Sequence, residues 1–133
     1  DFQARFEAVL AERVNRRVNR LLQRIGEDGW EQGLSALVGG SLADIPEMYR
    51  LISPITYVDA DCPPTMLLHG THDLLVDHEA VQRLHQALYL AGVPVVHLPL
   101  PGCEHSFESI LPRVSPAAQT AVYYMERFLA LLS

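Results

Sequence analysis

Two short apolar segments, joined by one amphipathic helix, constrain the fold of this chain more than any other feature. The segments are Thr65–His69 and Val93–Leu100, and each has the length and character of a strand buried on both faces. Between them, apolar residues recur at the three- and four-residue steps of a helix, namely Ala80, Val81, Leu84, Leu88 and Ala91. A strand–helix–strand unit of this kind joins parallel strands through a right-handed crossover. The sequence therefore predicts an α/β fold.

Capping residues mark the ends of the predicted helices. Asp77 is a candidate N-cap for the helix between the strands, and Gly92 is its stop signal. Pro63-Pro64 precedes the first strand. Ser115-Pro116 begins a final helix that we expect to reach about Leu132.

Further helical patterns come before the first strand. Apolar residues repeat at helical spacing from Asp1 to about Ile25, and a short helix is predicted around Trp30–Leu37. Asp44 can cap another helix that ends at about Ile52, before Ser53-Pro54. The predicted order is helix, strand, helix, strand, helix.

Composition excludes several function classes. The 133 residues are 49% hydrophobic and 20% charged, enough to bury an ordinary core. A net charge of -6 argues against nucleic-acid binding, and no apolar run is long enough to span a bilayer. Cys62 and Cys103 fall near opposite ends of adjacent strands, too far apart for a disulfide, so we expect two free thiols. We favour a cytoplasmic location. Because Asp1 opens directly onto a helical pattern without an initiator Met, we expect the N-terminal targeting region to be missing from this sequence.

Two side chains stand where the carboxyl ends of parallel strands place functional groups. Asp73 follows the first strand and His105 follows the second, 32 residues later. Neighbouring strands lie about 4.8 Å apart, so the carboxylate and the imidazole are expected within hydrogen-bond reach. A carboxylate that fixes the tautomer of an imidazole makes it an effective proton acceptor and donor. The spacing thus favours an acid–base pair.

These residues sit in a pair of motifs typical of one large family. An apolar strand ends in His69-Gly70-Thr71-His72-Asp73, and a later loop reads Gly102-Cys103-Glu104-His105-Ser106-Phe107. From about residue 38 onward the chain resembles the end of α/β-hydrolases of the esterase/lipase group, including the hormone-sensitive-lipase-like and bacterial carboxylesterase branches. The resemblance implies that Asp73 is the triad acid and His105 the triad base. It also implies that residues 1–133 are the C-terminal portion of one domain, with 1–52 a variable helical region and 53–133 the strand–helix–strand–helix part.

The family's nucleophile has no match in these 133 residues. It lies in Gly-x-Ser-x-Gly, earlier in the chain than the acid and the base, and the oxyanion-hole glycines come earlier still. The nearest sequence is Gly39-Gly40-Ser41-Leu42-Ala43, in which Ala43 replaces the last glycine and no buried strand leads in. We therefore interpret Ser41 as a turn residue and the chain as a fragment that is inactive alone.

Other residues compete for these roles. Asp77 competes with Asp73 for the role of acid but is better placed as a helix cap. The position of His69 at the strand end favours a packing or backbone-orienting role. We expect the remaining histidines, His72, His78, His85 and His97, on the surface or on helix faces. A zinc site formed by His69, His72, Asp73 and His105 is the alternative to the triad, since imidazole and carboxylate bind zinc. We expect no metal and no cofactor.

The leading functional hypothesis is hydrolysis of a small carboxylic ester by the complete protein. An amide or peptide hydrolase of the same fold is the nearest rival, because fold does not fix substrate. A non-catalytic hydrolase-like binding protein is the alternative from another class. The unpaired edge of Thr65–His69 and the apolar stripe of the first helix also predict that the fragment forms a homo-oligomer.

Overall fold

The structure is a computed structural model that describes residues 31–109 and 113–133. The helix expected from Asp1 to about Ile25 lies outside the described residues. No helix among the described residues is long and apolar enough to cross a membrane.

Two parallel strands form the sheet, as the sequence predicts. Strand β1 covers Thr65–Gly70 and strand β2 covers Val95–Leu100. Thr65 pairs with Val95 and each later residue pairs in step, so the two strands end together at Gly70 and Leu100. The strand β2 begins two residues later than its apolar run, because the backbone N–H of Val93 bonds to the end of the preceding helix, at Leu88 O.

The crossover helix has the caps that the sequence predicts. It covers His78–Leu90 and is called α3, since it follows two helices among the described residues. The Asp77 carboxylate accepts a hydrogen bond from the N–H of Glu79 at 3.1 Å. Beyond the helix, Gly92 has a φ of +81°, a conformation that glycine adopts without steric cost. The helix then packs its apolar face, with buried Leu88, on the sheet.

The two helices that the structure describes before the sheet agree only in part with expectation. Helix α1 covers residues 31–38, close to the predicted segment, and α2 covers Pro46–Ile52. The expected cap of α2 is wrong, because its N-cap residue is Ile45 and no side chain caps it. Asp44 is engaged elsewhere, since its carboxylate accepts a hydrogen bond from the Ser41 hydroxyl at 2.6 Å. A 3-10 turn that the sequence analysis missed, Pro54–Tyr57, leads towards β1.

The last helix covers the sheet from the other side. Helix α4 covers Pro116–Leu132, and the Ser115 hydroxyl caps it by accepting from the N–H of Ala118 at 3.4 Å. Its small residues Ala118 and Ala121 are fully buried, and the helix contacts β1. The described residues thus form three layers, with the sheet in the middle and α3 and α4 on its two faces. Cys62 and Cys103 are both free thiols, as expected.

Candidate active site

The loops after β1 and β2 are joined backbone to backbone at the carboxyl end of the sheet. The N–H of Thr71 donates to Leu100 O and the N–H of His72 donates to Cys103 O, both at 3.0 Å. The Thr71 hydroxyl accepts from the N–H of Gly102, also at 3.0 Å. These three bonds fix one loop against the other, which determines the relative position of the side chains that follow.

Gly70 permits this close approach. A Cβ atom at this position would lie 2.7 Å from the carbonyl carbon of Cys103, closer still to its oxygen, and 3.1 Å from Glu104 O. Real Cβ atoms essentially never come within 3.0 Å of such atoms, so the two contacts with Cys103 exclude a side chain here. The strand must therefore end in glycine for the loop that carries His105 to pass over it.

Asp73 and His105 meet above this junction. The Nδ1 atom of His105 lies 3.0 Å from Oδ2 of Asp73. The other carboxylate oxygen, Oδ1, accepts from the backbone N–H groups of Leu75 and Val76, at 2.9 Å each. The carboxylate is therefore held at both oxygens, by the loop that carries it and by the imidazole.

The environment keeps Asp73 ionised. Burial, the largest single effect, raises the pKa of this carboxyl group, but the hydrogen bonds from Val76, Leu75 and His105 together outweigh it, so the pKa lies below its ordinary value. The side chain of Asp73 is only 5% exposed, whereas that of His105 is 38% exposed. The pair thus combines a buried anion with an imidazole that solvent or a substrate can reach.

The orientation of His105 leaves its outer nitrogen free for chemistry. Because a carboxylate only accepts hydrogen bonds, Nδ1 of His105 must carry the proton between the two groups. Neutral His105 therefore has an unprotonated Nε2 that can accept a proton. Ser106, the next residue, has a φ of +57°, which is uncommon for a residue other than glycine and turns the chain sharply after the imidazole.

A second carboxylate next to His105 was not singled out from the sequence. Glu104 is 4% exposed, and its Oε2 accepts from the N–H of Leu74 at 3.3 Å. It therefore ties the loop after β2 to the residue that follows Asp73. The signal in the sequence was weak, because a glutamate in a loop ordinarily faces solvent.

Four histidines form a continuous row between α3 and the sheet, which we call the histidine row. Along the row, the ring centroids of His69 and His78 are 5.5 Å apart, those of His78 and His97 are 5.6 Å apart, and those of His97 and His85 are 5.5 Å apart. His78 and His85 lie on a face of α3, as expected, but the expectation is wrong for His97, which lies in β2 between these two helix histidines and is only partly exposed. The sequence did hold a signal, because His78 and His85 are seven positions apart and so share a face of α3 with the apolar stripe.

The remaining candidates lie outside the pair. The Ser41 hydroxyl donates to Asp44 in a turn, and Asp77 caps α3. The side chain of His72 is exposed and contacts the Thr71 hydroxyl at 3.2 Å. Within the described ranges, no group of three or more His, Cys, Asp or Glu side chains could hold a metal ion.

Comparison with known proteins places these features in a family. The BD-FAE family profile matches residues 5–88, a range that includes Asp73 and begins well before residue 38, where the motifs first indicated a resemblance. A probable carboxylic ester hydrolase of Mycobacterium tuberculosis, LipM, is 38% identical over 85 residues, which are 63% of this chain and 19% of LipM. Esterase LipQ of the same organism is 35% identical over 66 residues, 49% of this chain and 16% of LipQ.

Solved structures agree with the sequence comparisons. The propionate-bound form of Est2, a thermophilic esterase from the planctomycete Thermogutta terrifontis, superposes with a TM-score of 0.63 at 25% identity, over 78% of this chain and 36% of Est2. Thermogutta terrifontis esterase 2 phosphorylated by paraoxon gives a TM-score of 0.59 at 26% identity, over 63% of this chain and 32% of that one.

The chain is short beside all of these proteins. It spans about a third of the length of the solved esterases and about a fifth of the curated relatives. The profile match nevertheless covers more than half of its residues, and the strand–helix–strand arrangement with helices on both faces agrees with the structural matches. The chain therefore belongs to the BD-FAE family, within the esterase/lipase group of α/β-hydrolases.

Proposed function

We propose that Asp73 and His105 are the acid and the base of a Ser–His–Asp triad that hydrolyses carboxylic esters. The observation that carries the proposal is the 3.0 Å contact between His105 Nδ1 and the buried carboxylate of Asp73, which leaves Nε2 available as a base. The names of the relatives support the substrate class, since LipM is a probable carboxylic ester hydrolase and LipQ is an esterase.

The chemistry follows from the tautomer of His105. Its Nε2 removes the proton from a serine hydroxyl as the oxygen attacks the ester carbonyl, and the imidazolium then protonates the departing alcohol. Asp73 stabilises the positive charge on the imidazolium and holds the ring in orientation. In the second half of the reaction, water is deprotonated in the same way and releases the acid from the serine.

We propose that the serine comes from residues outside these 133. The sequence contains no Gly-x-Ser-x-Gly, and the Ser41 hydroxyl is bonded to Asp44. That a similar esterase is phosphorylated by paraoxon supports a nucleophile that reacts with organophosphorus reagents. The 133-residue chain is therefore expected to show no ester turnover and no covalent labelling by a fluorophosphonate probe. Stoichiometric labelling at Ser41 would contradict this.

The roles of the pair are tested in a protein that joins this chain to a Gly-x-Ser-x-Gly segment of the same family. With p-nitrophenyl esters as substrates, His105→Ala and Asp73→Asn should each lower kcat by about 10⁴-fold. The first variant removes the proton acceptor, and the second removes the carboxylate that holds the acceptor in its correct tautomer. His72→Ala is the matched control, since His72 is an exposed loop histidine two residues beyond the end of β1, and it should retain full activity. A loss confined to the control, or equal activity in all three, would contradict the assignment.

The same protein separates the competing functions. An amide or peptide hydrolase would cleave aminoacyl amides with a higher kcat/KM than the esters. A non-catalytic binding protein would turn over neither substrate class, while still binding esters. We expect the ester series to be preferred.

We also propose that the 133-residue chain self-associates. Large apolar side chains are exposed along α4 and at the end of α3, as in Leu129, Leu131, Tyr89 and Leu90. Apolar surface of this extent is rarely left uncovered in a monomer. Light scattering at micromolar concentration should show a dimer or a larger species, and a compact monomer would contradict the proposal.

A further inference from the structure

The protonation of His69 follows from the atoms around it. Its Nε2 lies 3.1 Å from the carbonyl oxygen of Val76. A carbonyl oxygen only accepts hydrogen bonds, so this nitrogen carries a proton. In neutral His69 the other nitrogen, Nδ1, is therefore unprotonated and acts as an acceptor.

The neighbouring groups are arranged to match this tautomer. His69 Nδ1 lies 3.2 Å from His78 Nδ1, and since His69 accepts there, His78 must donate. His78 Nε2 is then an acceptor, and it faces the side-chain amide nitrogen of Gln82, a donor, at 3.2 Å. Three hydrogen bonds thus run in one direction, from Gln82 through His78 and His69 to Val76.

The proton at the end of this series faces the triad acid. His69 Nε2 lies 3.4 Å from Oδ2 of Asp73, the same oxygen that contacts His105 at 3.0 Å. The side chains of His69 and Asp73 are 8% and 5% exposed, so water does not screen the contact. Val76 completes a closed arrangement, because its N–H donates to Oδ1 of Asp73 and its carbonyl accepts from His69.

We propose that His69 is a positioning residue for the Asp73–His105 pair, held as an Nε2–H donor by His78 and Gln82. This proposal rests on the proposed function of that pair. A buried carboxylate needs donors at both oxygens, and without His69 the Oδ2 atom would keep only the partly exposed imidazole of His105. His69 thereby restrains the rotation of the carboxylate and, through it, the orientation of His105.

The positioning role is tested by two amide substitutions in the 133-residue chain, so no turnover is required. His69→Gln places an N–H donor near the position of Nε2, whereas His69→Asn has the same chemical group but is too short to reach Asp73. NMR exchange measurements on the Nδ1 proton of His105 report the strength of its bond to Asp73. The proton should exchange with water roughly tenfold faster in the Asn variant, as expected for loss of one charge-assisted hydrogen bond, and at nearly the wild-type rate in the Gln variant.

The series of hydrogen bonds is tested at its exposed end. Gln82→Glu replaces a donor by a carboxylate that only accepts, so His78 Nε2 should become protonated. Gln86→Glu adds the same charge one turn further along α3 and is the matched control. The ring-nitrogen shifts of the wild type at about pH 8, where ordinary histidines are neutral, should show protons on His69 Nε2 and His78 Nδ1.

Each outcome decides one part of the proposal. A wild-type proton on His69 Nδ1, or no change at His78 in Gln82→Glu, would overturn the hydrogen-bond series. Equal exchange at His105 in the wild type, His69→Asn and His69→Gln would overturn the positioning role while leaving the proposed triad intact. If wild-type His105 carries no proton on Nδ1, the proposed triad pairing is wrong. The result at His78 still tests the hydrogen-bond series independently of that pairing.

Discussion

A single added methyl group at Gly70 should separate the two loops that form the candidate site. In Gly70→Ala the new Cβ lies 2.7 Å from the carbonyl carbon of Cys103, whereas an ordinary contact begins at 3.4 Å. The obstacle is backbone, so no side chain can rotate away to relieve it. The loop after β2 must therefore move outward by at least about 0.7 Å, the difference between the two distances, because the carbonyl oxygen of Cys103 lies closer still.

That movement has an energetic cost that can be worked from the contacts. Overpacking of this kind costs about 1–3 kcal/mol. A displacement of Cys103 also stretches its 3.0 Å hydrogen bond from the N–H of His72, and loss of that bond costs a further ~1 kcal/mol. We expect the free energy of unfolding of Gly70→Ala to fall by about 2–4 kcal/mol, and the His105–Asp73 hydrogen bond to weaken with it.

Urea unfolding followed by far-UV circular dichroism measures the change, with Gly33→Ala as the matched control. Gly33 lies in helix α1 with no atom near its missing Cβ, so the same methyl group should leave stability unchanged or raise it by up to about 1 kcal/mol. If Gly70→Ala unfolds within 0.5 kcal/mol of the wild type, a margin of roughly the scatter between surface substitutions, the proposed close approach of the loops is wrong.

Three further experiments test other parts of the structure. Burial, and then the neighbouring His85, His78 and His69, hold the pKa of His97 below its ordinary value, so the unfolded chain binds more protons than the folded one as the pH falls through about 6.5. The contribution of His97 to stability is therefore full above that pH and is lost below it, by at most about 1.4 kcal/mol per pH unit. His97→Val should flatten this loss in urea titrations between about pH 7.5 and 5.5, one unit on either side of the ordinary value. Ser106→Gly should raise the free energy of unfolding by about 0.5–1 kcal/mol by relieving its positive φ, whereas Ser109→Gly in the same loop should lower it. Asp77→Ala should cost about 1 kcal/mol through loss of the α3 cap while leaving the His105 Nδ1 proton unchanged by NMR.

The strand–helix–strand unit could be predicted because its signals are local and mutually consistent. The backbone is restricted at single points by the prolines before β1, by the Asp77 cap and by Gly92. The apolar periodicity then indicates which segments are strands and which is the helix. The carboxyl-end rule for parallel strands then places Asp73 beside His105 without knowledge of any contact. The catalytic roles of these two residues, the domain division at residue 52 and the cytoplasmic location stay predictions.

Features that depend on competition between partners could not be predicted in this way. Asp44 has the chemistry of a helix cap, but Ser41 takes its carboxylate, and nothing in the sequence ranks the two partners. The histidine row was missed for a related reason. Imidazole is polar enough to be assigned to the surface, and only the partners that satisfy His69 and His78 make its burial favourable.

The register of the sheet has a consequence for how the candidate site assembles during folding. Every ladder pair joins residues thirty positions apart, as in Thr65 with Val95, and helix α3 lies in the intervening chain. The entropy cost of closing a connection grows with its length, so this crossover costs less to close than pairing between more distant parts of the sequence. The described partners of the Asp73 carboxylate all lie between His69 and His105. The acid and the base can therefore reach their mutual geometry as soon as this one crossover closes, ahead of contacts between more distant parts of the sequence.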